Sequence, residues 1–107
     1  MLRSACAEKI ILNDGRQLGV YYNGGGYFVN SNAQIIAHYK NKLPAIIKTK
    51  YGNGLVILSG VHFEIDQQML EREEDFDGFL KVIVSELKIF EEDRLLFCKD
   101  IIARLIC

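Results

Sequence analysis

His62 and Glu64 are the two residues whose types and spacing could do chemistry. An imidazole can take a proton from a thiol, and a neighbouring carboxylate can orient the ring and stabilise its charged form. Side chains at i and i+2 leave an extended segment on the same side, so the spacing permits cooperation. The same spacing serves a structural ion pair equally well, and spacing alone leaves both readings open. A catalytic pair needs a nucleophile, expected as a cysteine on a tight strand-to-helix elbow between small residues. The sequence contains no Gly-x-Cys-x-Gly segment. Cys6 sits in Ser4-Ala5-Cys6-Ala7 without flanking glycines, and Cys107 is the last residue. Cys98 falls inside a helical apolar pattern and reads as a small buried residue rather than a nucleophile. His38, the other histidine, reads as a strand or surface residue.

Other constellations are weaker. Asn23-Gly24-Gly25-Gly26 carries three adjacent glycines, which permit positive φ and close backbone approach. Such a loop could cradle a ligand. Without a GxGxxG pattern or a Walker lysine, a hairpin turn is the preferred reading. Glu71-Arg72-Glu73-Glu74-Asp75 reads as a solvated face, because a metal site needs carboxylates that converge in space. No metal and no cofactor are expected.

The elements that must position His62 and Glu64 follow from periodicity and turn signals. Residues 8–12 and 17–22 read as strands joined at Asn13-Asp14-Gly15 into a hairpin, with Leu18, Val20 and Tyr22 on one face. Tyr27-Phe28-Val29 reads as a further strand. Residues 33–39 are ambiguous between helix and strand. Pro44 can open an edge, and residues 45–51 form a strand that Gly52-Asn53-Gly54 turns back. The continuous apolar run at 55–58 suits a strand covered on both faces. Ser59 and Gly60 then break the pairing and leave His62 and Glu64 just past the end of a buried strand, where sites collect in open α/β sheets. Residues 65–70 can begin a helix, and Asp77 can cap the next one. Phe79, Ile83, Leu87 and Phe90 recur at helical spacing, with Leu80 and Val84 beside them. Glu91-Glu92-Asp93 suits the start of a last helix, along which Leu95, Cys98, Ile102 and Leu105 continue the stripe almost to Cys107. A β-rich first part is thus followed by helices.

The bulk numbers bound the rest. With 107 residues, 50% of them hydrophobic, the chain makes one small domain. A net charge of -1 gives no general attraction to nucleic acid or anionic membrane. No apolar run suggests a membrane span, and residues 1–9 lack the apolar core of a secretory signal. Three widely spaced cysteines fit neither a disulfide framework nor a zinc site. Reduced thiols in a cytoplasmic protein are the expectation.

The sequence resembles the amino-terminal, glutamine-amidotransferase-like domain of eukaryotic-type biotin–protein ligases. The matching segments come in order: Leu12-Asn13-Asp14-Gly15, Tyr21-Tyr22-Asn23-Gly24-Gly25-Gly26-Tyr27-Phe28-Val29, Ile35-Ile36-Ala37-His38-Tyr39, Pro44-Ala45-Ile46-Ile47, Gly52 through Ser59-Gly60-Val61-His62-Phe63-Glu64, and Asp93-Arg94-Leu95-Leu96-Phe97. The resemblance implies an α/β, class I glutamine-amidotransferase-like (flavodoxin-like) partial domain, with β-hairpins followed by C-terminal helices. It turns residues 33–39 toward a strand and sets Asn23, Gly24, Gly25 and Gly26 as a loop near the site. It implies that His62 and Glu64 occupy the base and orienting positions of a Cys-His-Glu triad. Phe63 stands where the family usually has proline. The elbow cysteine, the upstream parallel strands and the ligase catalytic domain have no counterpart, so residues 1–107 are expected to be a single partial domain, the carboxyl-terminal half.

Two functions follow from that resemblance. The first is a module that is non-catalytic alone and acts by regulation or interaction. The second is an amidotransferase-like hydrolase whose nucleophile another chain supplies. Biotinylation by this chain is not expected, since nothing in it could bind ATP phosphates and biotin together. The expected partners are a second copy, an upstream-half polypeptide or a ligase polypeptide. Half a sheet buries too little surface to stand easily alone, and its open edge invites pairing.

Overall fold

The computed structural model describes residues 6–29, 32–65 and 78–106. The expected helix start at residues 65–70, the 71–75 charge run, the Asp77 cap and Cys107 fall largely or wholly outside them.

Five strands form one sheet: β1 (Cys6–Leu12), β2 (Gln17–Tyr22), β3 (Gln34–Tyr39), β4 (Pro44–Tyr51) and β5 (Gly54–Ser59). Their spatial order is β2-β1-β3-β4-β5, and every described pairing is antiparallel. Among the described residues two helices follow, α1 (Gly78–Lys88) and α2 (Glu91–Ile106). The fold is therefore α/β, but its described sheet is antiparallel throughout.

The first hairpin forms at Asn13-Asp14-Gly15, as the turn chemistry requires. Gly15 takes φ 91, and the Asp14 carboxylate accepts the Arg16 backbone N–H at 3.0 Å and its Nε–H at 2.7 Å. That backbone donation, with the guanidinium beside it, holds the Asp14 carboxyl below its ordinary range. Register runs from Cys6 opposite Tyr22 to Ile11 opposite Gln17. Leu18 and Val20 are buried, but so are their alternates Gly19 and Tyr21, so β2 is covered on both faces. Residues 34–39 are a strand, with a bulge where Ile36 has no register partner. Pro44 opens β4 at its first residue, where no ladder donor is needed.

Two expectations are corrected. Residues 27–29 form no strand. The chain after the glycines lies across the sheet end instead, tied by Phe28 N–H to the Pro44 carbonyl at 3.1 Å. The apolar run of β5 is not a doubly covered strand either. It is an edge strand, with Leu55 36% and Leu58 43% exposed. An uninterrupted apolar run fits an edge as well as a centre once the residues beyond it are unknown.

Beyond β5 the chain crosses to the opposite edge. His62 N–H donates to the Tyr21 carbonyl at 2.8 Å, an isolated antiparallel bridge to β2. The sheet thus curls so that the segment after its last strand meets its other edge strand. Ile10, Leu18, Val20 and Ile46 fill the core, which Val61, Phe97 and Ile101 close from outside the sheet. A second cluster joins Ile83, Val84 and Leu87 of α1 to Tyr21.

The stripe on α2 lies one residue away from its expected phase. Arg94, Phe97 and Ile101 are buried, whereas Leu95, Ile102 and Leu105 are exposed. Arg94 sets the phase: its guanidinium is buried between the corner and β2, donating to the Leu87 carbonyl and to Gly19 at 3.3 Å. A cation at the last turn of α1 complements the dipole and satisfies an orphan carbonyl. Phe90 lies over Gly19, where an added Cβ would come within 2.5 Å of the ring.

Candidate functional site

His62 and Glu64 are brought together. Nδ1 of the imidazole lies 3.1 Å from Oε2 of Glu64. The backbone turns at residues 63–64 rather than running extended, so the contact comes from a local turn. With Glu64 ionised and Nδ1–H donating, Nε2 keeps its lone pair and is the ring nitrogen available as a base. The backbone bridge to Tyr21 fixes the start of this turn, and the Tyr21 ring lies 6.1 Å from the imidazole, tilted by 42°. Both side chains are open to solvent, 50% exposed for His62 and 57% for Glu64. As an ion pair, so exposed a contact contributes only about 0–1 kcal/mol.

Phe63, between them, points the other way. Its ring meets Phe97 of α2 edge-on, centroids 5.2 Å apart at 77°. The aromatic residue at the position where proline was expected therefore clamps the turn to the last helix. The Phe63 carbonyl accepts the Cys98 thiol, Sγ to O 3.3 Å. Burial, then the nearby Glu64 carboxylate, push the Cys98 thiol up, against a smaller opposing effect of Arg94. A thiol kept protonated and donating to a carbonyl is a poor nucleophile. Cys98 is half-buried in α2, consistent with its expected structural role. Cys6 stands at the start of β1, with its thiol 3.8 Å from Glu8 Oε2. His38 lies within β3, half-buried. Among the described residues, then, the His62 imidazole and the Glu64 carboxylate are in contact, and the Cys6 and Cys98 thiols reach Glu8 and the Phe63 carbonyl instead.

The glycine loop reaches the same place by another route. It is not a hairpin turn. Gly24 takes φ 72 beside exposed Asn23, and Gly25 and Gly26 then run against Gly60. A Cβ on Gly25 would stand 1.9 Å from the Gly60 carbonyl oxygen, and one on Gly60 would stand 1.9 Å from that of Gly26. Two backbones meet here with no room for a side chain on Gly25 or on Gly60. Two phenols hold the loop down: Tyr22 donates to the Gly25 carbonyl at 2.6 Å and Tyr39 to that of Gly26 at 2.7 Å. Ser59 Oγ accepts the Val61 N–H at 3.2 Å and donates to its carbonyl at 2.7 Å, shaping the break before His62. The loop thus supports the turn from which His62 projects. Tyr22, Tyr39 and Gly60 carry this arrangement, and the sequence gives little local sign of it, since Tyr39 and Gly26 are thirteen residues apart.

Among the described residues no group of three or more His, Cys, Asp and Glu side chains gathers as a metal site. No described helix is long and apolar enough to cross a membrane.

Residues 2–106 match the protein family described as biotin-protein ligase, N terminal. A biotin–protein ligase from Schizosaccharomyces pombe (strain 972 / ATCC 24843) is 37% identical over 71 residues, covering 54% of this chain and 11% of that protein. The chain thus corresponds to a small part of the curated relative it matches. No solved structure matches it.

Proposed function

The chain belongs to the biotin–protein ligase N-terminal family, and from that premise we propose that it is an interaction or regulatory module, non-catalytic alone, that associates with a second polypeptide. The observation that carries this reading is the apolar surface left open on β5 and on α2. Leu55 and Leu58 are exposed on edge strand β5, and Leu95, Leu96, Ile102 and Leu105 are exposed on α2. An edge strand offers unpaired backbone groups as a template for another strand, and exposed apolar residues beside it supply a contact surface. The partner in this reading is a second copy or a polypeptide carrying the upstream half of a class I amidotransferase-like domain. The antiparallel sheet with helices after it would then be the carboxyl-terminal portion of that larger fold, placed in the cytoplasm.

A second reading is favoured by the 3.1 Å contact between His62 and Glu64. It is an amidotransferase-like hydrolase in which a cysteine of another chain meets Nε2 of His62. Hydrolysis of glutamine or of a thioester by the chain mixed with a polypeptide carrying the upstream half and its cysteine separates the two. The module reading expects none, with or without His62→Ala. Turnover that His62→Ala abolishes would overturn it.

A further inference from the structure

Against the glycine loop lies an open cleft of about 400 Å³ that neither His62 nor Glu64 lines. Its size falls in the range of small-molecule sites, about 300–1,000 Å³. Tyr22, Tyr27 and Tyr39 line it. Tyr22 and Tyr39 stand edge to face, centroids 6.3 Å apart at 88°, and Tyr27 is 55% exposed. Charge enters from two directions, the Glu8 carboxylate from β1 and the Lys40 ammonium, with the Asn41 amide, from the turn after β3. Aromatic faces and a carboxylate attract an organic cation. An ammonium and an amide beside them suit an anion.

Gly26, in the wall of this cleft, is not explained by the fold. Its φ is not in the left-handed region, and an added Cβ would meet nothing within 4 Å. Its bareness keeps the wall open. Gly25 differs, because its missing Cβ lets Gly60 approach. The Tyr39 phenol donates to the Gly26 carbonyl at 2.7 Å and so fixes this wall.

We propose that this cleft binds a small zwitterion, its ammonium group against Glu8 and the tyrosine rings and its anionic group against Lys40 and Asn41. The test is a titration of the full chain with trimethylglycine, followed by amide NMR shifts. We expect saturable shifts at Gly25, Gly26, Lys40 and Asn41. Choline, carrying only the cation, and propionate, carrying only the anion, should each bind about tenfold or more weakly. Glu8→Gln should weaken binding by about tenfold, and Gly26→Val should block it while the remaining amide spectrum is kept. If Glu8→Gln fails to fold, Lys40→Gln on the exposed turn reads the anionic half of the site. Shifts that do not saturate, that survive Gly26→Val, or that choline alone reproduces at equal affinity would overturn the proposal.

Discussion

Tyr39 and Gly60 show how much of the site rests on single atoms away from His62. Burial, with Tyr22 and Glu8 adding to it, pushes the Tyr39 phenol up to about 12, against about 10 for an unperturbed tyrosine. A folded pKa above the unfolded one contributes stability below about pH 10 that is lost as pH rises through about 12. In an alkaline titration of phenolate absorbance, Tyr39 should therefore ionise late, as the fold loosens. Tyr39→Phe should remove that late step and cost about 1 kcal/mol in a urea melt, because the Gly26 carbonyl loses its donor. All five tyrosines titrating together with the fold intact would contradict this. Gly60→Ala puts a Cβ 1.9 Å from the Gly26 oxygen and 2.6 Å from the Tyr39 hydroxyl, and overpacking of this kind costs about 1–3 kcal/mol. The same melt should find Gly26→Ala within about 0.5 kcal/mol of the parent, since nothing stands near its added methyl.

At the scale of elements, Arg94 is the residue on which the helical corner turns. It is 3% exposed and bonds the Leu87 carbonyl at the end of α1 and Gly19 in β2. Arg94→Met keeps the length and removes the donors, and should cost about 2–4 kcal/mol of unfolding free energy. A melt unchanged from the parent would mean that the corner is held by packing alone. Arg94 also explains where reading the sequence went astray. Apolar residues lie on more than one face of α2, so periodicity left its phase open. The helical spacing runs through Leu95, Cys98, Ile102 and Leu105, whereas the buried face begins with an arginine. The burial of a cation is decided by carbonyls distant in sequence, which no local pattern reports. The first hairpin, β4 and both described helices were legible because Asn-Asp-Gly, Gly-Asn-Gly and the acidic first turn of α2 are local signals. Residues 33–39 were not, because Gln34, Ala37 and His38 carry weak strand propensity and are held by neighbours on both sides in the sheet. Tyr27-Phe28-Val29 has strand composition, but its Phe28 N–H bonds the Pro44 carbonyl across the sheet end instead of joining a ladder. His62 and Glu64 were legible as a pair from their spacing, whereas their support by the Gly25–Gly60 approach belongs to long-range packing.

For the whole molecule, the sheet curls back on itself through the His62–Tyr21 bridge, and its two helices pack near β1, β2 and β5. That closure leaves the outer side of β5 and one face of α2 uncovered. Burying apolar area contributes about 25 cal/mol per Å², so a partner that covers these leucines has a driving force to bind. Leu58→Lys and Ile102→Lys place charges on exposed positions outside the core, since Leu58 is 43% and Ile102 58% exposed. Each should weaken association by about tenfold or more while leaving the melting temperature of the isolated chain near its starting value. The measurement that bears most directly on the module reading is light scattering of the full chain across a range of concentrations, alone and mixed with an upstream-half polypeptide. The account expects a mass above the 12.2 kDa of one chain, from a second copy or from that complex, and a return to one chain with Leu58→Lys and Ile102→Lys combined. A mass of one chain at every concentration, with a cooperative melt and no complex formed, would contradict it.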